Sequence, residues 1–200
     1  MTAPGILCFA GSARKDSVNK LLVKVAMKGI NDVGVKANFI DLADFDMPVY
    51  NEDFRRSNGF PDSVLRLKQL MHDHQGMLIA APEYNSSITA LLKNAFDWAS
   101  VELPHEKPNS LTCFRGKVAG LVAASPGALG GLRGLFHVRE ILQNVGVLVL
   151  PDMFALSHAY GAFDEAGDLK DESNRSRAQN VGMQLAQLTI EVANKAALPA

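Results

Sequence analysis

The stretch GSARKDSVNK, Gly11 to Lys20, follows a short apolar run, GILCFA, at a point where one chain segment ends and the next begins. Gly11 lets the chain turn, Ser12 and Ser17 offer hydroxyls, Arg14 a full charge and Asn19 an amide. At the start of a helix these groups would join unpaired backbone N–H groups and a partial positive charge. Such a set converges on a phosphate dianion. Helix capping by Asp16 or Ser17, with Arg14 merely solvated, explains one of these residues but not the set. The spacing GxxxxGK[ST] is absent, and so is GxGxxG, so the expected ligand is a monophosphate rather than a nucleoside triphosphate or a dinucleotide.

Two later stretches share the same character. PEYNSSITA (82–90) and SPGALGGLR (125–133) each follow an apolar run, carry hydrogen-bonding groups and open a helical pattern. Pro82 ends its run, and Gly127 and Gly130 permit a close approach of backbone to a ligand. Other chemistry is poorly served. His72 and His74 lie two apart on a helical stretch and do not share a face, and His105, His137 and His158 show no ligand spacing, so no metal site is expected. There is no GxSxG elbow for a hydrolase. DEAGDLKDE has its glycine misplaced for a calcium loop and reads as a polar hairpin followed by an Asp171 or Ser173 helix cap.

The elements that must position these loops alternate. Gly5–Ala10 is apolar throughout and suits a strand buried on both faces. Val18, Leu21, Leu22, Val25 and Ala26 then mark a helical face. Val35–Leu42, Met77–Ala81, Lys117–Ala124 and Val147–Leu150 read as further strands, the last stopped by Pro151. Helical stripes fall at Val64, Leu67 and Met71; at Ile88, Leu91, Leu92, Ala95, Phe96 and Ala99; at Leu135 through Val145; and at Val181 through Val192. Alternating strands and helices predict a parallel sheet covered on both faces. The expected fold class is α/β: a flavodoxin-like, doubly wound five-stranded parallel sheet of order 2-1-3-4-5. Ligands bind such sheets beyond the carboxyl ends of the strands. A six-stranded dinucleotide-binding half is the alternative, and the chain has too few strands for it.

The 200 residues are expected to form one domain, 1–200, with 48% hydrophobic and 20% charged residues. A net charge of −1 gives no footprint for nucleic acid or an anionic membrane, and no stretch approaches the length of a membrane span. Cys8 and Cys113 cannot build a disulfide framework, and Cys8 reads as a small hydrophobe. The amino terminus lacks a basic region ahead of its short apolar run, so a cytoplasmic location is expected.

The motifs GSARKDSVN, DMPVYNED, PEYNSSITALLKNAFDWAS and SPGALGGLRGLFHVREIL, in this order, resemble those of the NADPH-dependent FMN reductase family, and AFDEAGDLKDE near the end is similar to it too. PEYN followed by a helix bearing LKNA and D-W is the specific part. The resemblance implies that Ser12, Arg14, Ser17, Val18 and Asn19 hold the FMN phosphate. Pro82, Glu83, Tyr84 and Asn85 would run along the isoalloxazine ring, largely through backbone groups. Ser125, Gly127 and Gly130 would lie beside its pyrimidine edge. Two departures stand out. Thr89-Ala90 replaces the family's Pro-Gly, and His74-Gln75 replaces an Ala-Asp pair, a change expected to be superficial.

The implied activity is an FMN-containing oxidoreductase taking hydride from NADPH, or NADH, and passing electrons to a quinone, free flavin, azo compound or metal oxyanion by a ping-pong sequence. The cofactor carries that chemistry, so no catalytic side chain is named. A flavodoxin-type carrier with little nicotinamide reactivity is the alternative, and −1 overall argues against the strongly acidic docking face such a carrier needs. A scaffold that has kept the fold and lost the cofactor is a third reading. The resemblance also implies a homodimer or homotetramer whose second subunit completes the site, with Phe96 and Trp98 near the rim, although Trp98 can equally be core. Arg133, Arg139 and Glu140 are either subunit salt bridges or a solvated helix face.

Overall fold

Six consecutive apolar residues give Gly5–Ala10 no polar face to turn toward water, and this strand, β1, is buried along its whole length. The computed structural model describes residues 4–196, so the extreme ends of the span expected as one domain, 1–3 and 197–200, lie outside the described residues. After β1 come α1 (Val18–Asp32), β2 (Lys36–Phe39), a short 3-10 turn at Leu42–Asp44, α2 (Glu52–Asn58), α3 (Asp62–Asp73) and β3 (Gly76–Ala80). The chain continues through β4 (Glu83–Tyr84), β5 (Ser87–Ile88), α4 (Ala90–Ser100), β6 (Val118–Ala124), α5 (Leu132–Asn144), β7 (Leu148–Leu156) and α6 (Glu172–Ala196).

The main sheet has the order β2-β1-β3-β6-β7, with every neighbouring pair parallel. Counting its strands alone, this is the 2-1-3-4-5 order expected. Strand alternation sends Ile6, Cys8 and Ala10 into a core with α1 and α6, and Leu7 and Phe9 into a second core with α3, α4 and α5. Burial pushes the Cys8 thiol far up, so this residue behaves as the small hydrophobe expected. Among the described residues, no helix is long and apolar enough to cross a membrane.

Several expectations are corrected. β7 does not stop at Pro151 but runs through it to Leu156, with a register shift against β6 between Ala119 and Leu121. β7 is an edge strand, where a missing N–H costs no ladder bond. The Leu150 and Pro151 carbonyls beside the irregularity are taken by the Arg139 guanidinium at 2.9 and 2.6 Å. β2 is shorter than Val35–Leu42, because Asp41 breaks away to accept from the Ala43 N–H and cap the 3-10 turn. The long connection after it contains α2, started by Asn51, whose Oδ1 accepts from the N–H groups of Asp53 and Phe54. Gln75 is not superficial: its Oε1 accepts from the Gly5 N–H at 3.0 Å and so sets the start of β1. Asp171 caps α6, accepting from the Asn174 N–H at 2.8 Å.

Phe96 and Trp98 are buried within the chain rather than set at the rim. Trp98 is wholly buried, donates through Nε1 to the Pro48 carbonyl at 2.7 Å and packs edge-on against Tyr50 at 5.0 Å between centroids. One turn earlier, Asn94 accepts from the Tyr50 N–H at 2.8 Å and donates to the Met47 and Pro48 carbonyls. The N-x-x-x-W spacing on α4 therefore clamps the segment Met47–Tyr50.

Candidate functional site

The segments after β1, β3, β6 and β7 leave the sheet at one edge. Three of them meet in an open cavity of about 270 Å³, joined by Tyr160 from the fourth. Ser12, Arg14, Ser17, Val18, Asn19, Pro82, Glu83, Tyr84 and Ser125 line it, together with Ala124 and Pro126. Sequence reasoning missed Tyr160. The signal was present in SHAYG, but ending the fifth strand at Pro151 hid the fact that this segment emerges at the same rim.

Ser17 occupies the N-cap position of α1, yet its hydroxyl makes no capping bond. Among the described residues, the N–H groups of Ser12, Ser17, Val18 and Asn19 have no hydrogen-bond partner, and neither has the Ser17 hydroxyl. Ser12 and Ser17 are nevertheless buried, at 6% and 4% exposure. The first turn of α1 carries no carboxylate. Arg14 is exposed, with one guanidinium nitrogen on the Asp16 carbonyl at 3.2 Å. Unpartnered N–H groups, two hydroxyls and an arginine at a helix start are groups that could hold an anion, and their chemistry fits a phosphate monoester. Of the two lysines in the stretch, Lys20 is spent on Asp41 at 2.6 Å.

Asn19 contributes differently from the expectation. Its amide is committed to the Ala124 backbone, Nδ2 donating to the carbonyl and Oδ1 accepting from the N–H, each at 2.9 Å. It braces the cradle against the end of β6, the strand from which Ser125 follows.

PEYN folds as the start of a tight hairpin in which β4 pairs with β5 antiparallel. Asn85 and Ser86, the two turn residues, have φ of 50° and 66°. That twist is the one two-residue hairpins require. Asn85 consequently points to the α4–α5 side and lies outside the cavity. The Glu83 side chain turns to α5, where its carboxylate pairs with Arg133 and accepts from the Gly134 N–H at 3.2 Å. Burial alone would raise its pKa, but the Arg133 contact and the helix-start N–H outweigh burial and hold it below the usual carboxylate range. Glu83 thus caps α5, which has Gly131 and no capping side chain of its own. Arg133 and Arg139 both make bonds within the chain, Arg133 to Glu83 and Arg139 to the Leu150 and Pro151 carbonyls.

In the third loop only Ser125 of the three expected residues lines the cavity. Gly127 donates to the Ser125 hydroxyl at 3.2 Å. Gly130 has φ of +63°, and a Cβ on it would come 2.7 Å from the Leu156 carbonyl carbon, so its glycine is demanded by the end of β7. Thr89, at the departure from the family pattern, is the N-cap of α4.

Residues 4–161 match the family model described as NADPH-dependent FMN reductase. Over 176 residues the chain is 37% identical to an NAD(P)H-dependent FMN reductase of Pseudomonas aeruginosa, covering 87% of this chain and 89% of the relative. It is 30% identical over 176 residues to a 2-hydroxy-1,4-benzoquinone reductase of a Burkholderia species, covering 87% and 90% of the two. Among solved structures, the flavoenzyme NAD(P)H:(acceptor) oxidoreductase of Paracoccus denitrificans superposes with a TM-score of 0.78 at 29% identity, covering 94% of this chain and 98% of that one.

Proposed function

The chain belongs to the NADPH-dependent FMN reductase family, and on that premise we propose that it binds FMN at the rim cavity and moves electrons from NAD(P)H to a small acceptor. The observation that carries the reading is the nest of unpartnered N–H groups and buried hydroxyls at the start of α1. Bound FMN supplies the redox chemistry, accepting hydride from the nicotinamide and delivering electrons onward.

The residues of the chain bind and orient. Ser12, Arg14, Ser17 and the Val18 N–H hold the phosphate, while Asn19 sets the distance between that cradle and Ser125. Pro82, Glu83 and Tyr84 border the ring through their backbone, Glu83 being fixed from behind by Arg133. Asn85, Gly127 and Gly130 shape the turns on which those groups sit. Tyr84 and Tyr160, 55% and 65% exposed, present aromatic surface to whatever enters.

Donor and acceptor use the open side in turn, a ping-pong order in which NADPH leaves before the acceptor arrives. Quinones are the first acceptor class, following the benzoquinone-reductase relative; free flavin, azo compounds and metal oxyanions are the others. The protein works as a homo-oligomer. The apolar stripe Leu129, Leu132 and Phe136 on and beside α5 supports this, since all three are exposed and α5 packs against the hairpin that carries Tyr84. An absorbance spectrum of the FMN-loaded protein tests the activity. Anaerobic NADPH bleaches the flavin band and a quinone restores it, whereas a band indifferent to both nicotinamides contradicts the proposal.

A further inference from the structure

Thr89 is 3% exposed, and its hydroxyl makes two bonds. Oγ1 accepts from the Leu92 N–H at 3.2 Å, capping α4, and donates to the Gly11 carbonyl at 2.7 Å. The second bond crosses from the rim segment after β3 to the one after β1. Gly11 is held on its other side as well, its N–H donating to the Ala80 carbonyl at 2.9 Å. It is seated so tightly on α4 that a Cβ would come 2.9 Å from the Leu92 Cβ.

The Gly11 carbonyl and the Ser12 N–H belong to one planar peptide unit and point in opposite directions. Fixing the carbonyl toward Thr89 therefore fixes the Ser12 N–H away from α4. Among the described residues that N–H has no partner, and Ser12 lines the cavity. We infer that Thr89 is a positioning residue for the FMN phosphate: by holding the Gly11 carbonyl it aims the Ser12 N–H at the bound anion. The inference rests on the FMN reading above. A residue serving only to cap α4 would support overall stability and leave the choice between FMN and riboflavin, which lacks the phosphate, unchanged.

Three forms of the full chain, wild type, Thr89→Val and Thr89→Ser, are stripped of flavin and titrated with FMN and with riboflavin. Losing one pre-organised donor predicts that T89V binds FMN about tenfold more weakly, with riboflavin affinity changed less than about twofold. T89S, which keeps the hydroxyl, stays within about threefold of wild type for FMN. Equal FMN binding by T89V, or equal losses for FMN and riboflavin, overturns the inference. Should T89V fail to fold, amide hydrogen exchange on the wild-type chain decides. FMN must slow exchange at Ser12 and riboflavin must not, and unchanged exchange with FMN bound overturns the inference. A wild-type chain that takes up no FMN defeats the functional reading instead, which keeps the two failures distinct.

Discussion

The side-chain amide of Asn19 and the backbone of Ala124 are joined at two points, both 2.9 Å, across 105 positions of sequence. This contact ties the first turn of α1 to the last residue of β6 and so holds two rim segments at a set separation. Both partners are buried. Asn19→Ala leaves a buried N–H and a buried carbonyl without partners, and the expected loss of unfolding free energy is about 2–4 kcal/mol. Urea denaturation of the two proteins measures it, and a difference below about 0.5 kcal/mol would show that water replaces the amide.

Glu83 gives the site a pH dependence. Its folded pKa is held below the ordinary 4.5, with burial opposing and Arg133 and the Gly134 N–H prevailing. A depressed carboxylate contributes stability that is present above the unfolded value and is lost as pH falls through the folded one. Wild-type stability should therefore fall as the pH drops below 4.5. Glu83→Gln should be less stable at neutral pH and show a shallower acid decline. Thermal melts at pH 7 and at several values below 4.5 check this, and parallel curves for the two proteins would refute it.

The clamp of Asn94 and Trp98 on Met47–Tyr50 predicts a local effect. Asn94→Ala removes three hydrogen bonds to that segment and leaves the sheet intact. Trypsin should then cut at Arg55 or Arg56, just beyond the clamp, several-fold faster than in wild type, with little change in the melting temperature. Trp98 is the sole tryptophan and is wholly buried beside the clamp, so its emission should shift to the red in the same variant. Unchanged cleavage and emission would mean that Trp98 alone suffices.

The apolar stripe Leu129, Leu132 and Phe136 makes a prediction about assembly. Sedimentation of the wild-type protein should show an oligomer, and Phe136→Glu should shift it toward monomer, because a charge buried in an apolar contact is costly. A monomeric wild-type protein at working concentration would contradict the proposed homo-oligomer.

What could be read in advance follows from periodicity. Apolar runs and helical stripes reveal strands and helices, and βα alternation then leaves few topologies, which is why the five-stranded order was legible. Pro151 misled because the rule that proline ends a strand assumes both edges are paired, and only the finished sheet reveals which strand lies at an edge. Ser12, Arg14 and Ser17 were legible as one cluster at the rim because local spacing brings them together. Asn19 was grouped with them for the same reason, but its partner, Ala124, is distant in sequence and invisible to local pattern. The same holds for Glu83 with Arg133 and for Thr89 with Gly11. Trp98 carried both a rim and a core reading until its bond to Pro48 decided for the core.

The most direct measurement combines Ser12→Ala, Arg14→Glu and Ser17→Ala in one chain and compares its affinities for FMN and riboflavin with those of wild type. Losing two hydroxyl contacts and reversing a charge beside a phosphate should weaken FMN by about a hundredfold or more while riboflavin changes little. FMN bound as tightly as before would place the phosphate elsewhere, and the cradle at the start of α1 would not be the site.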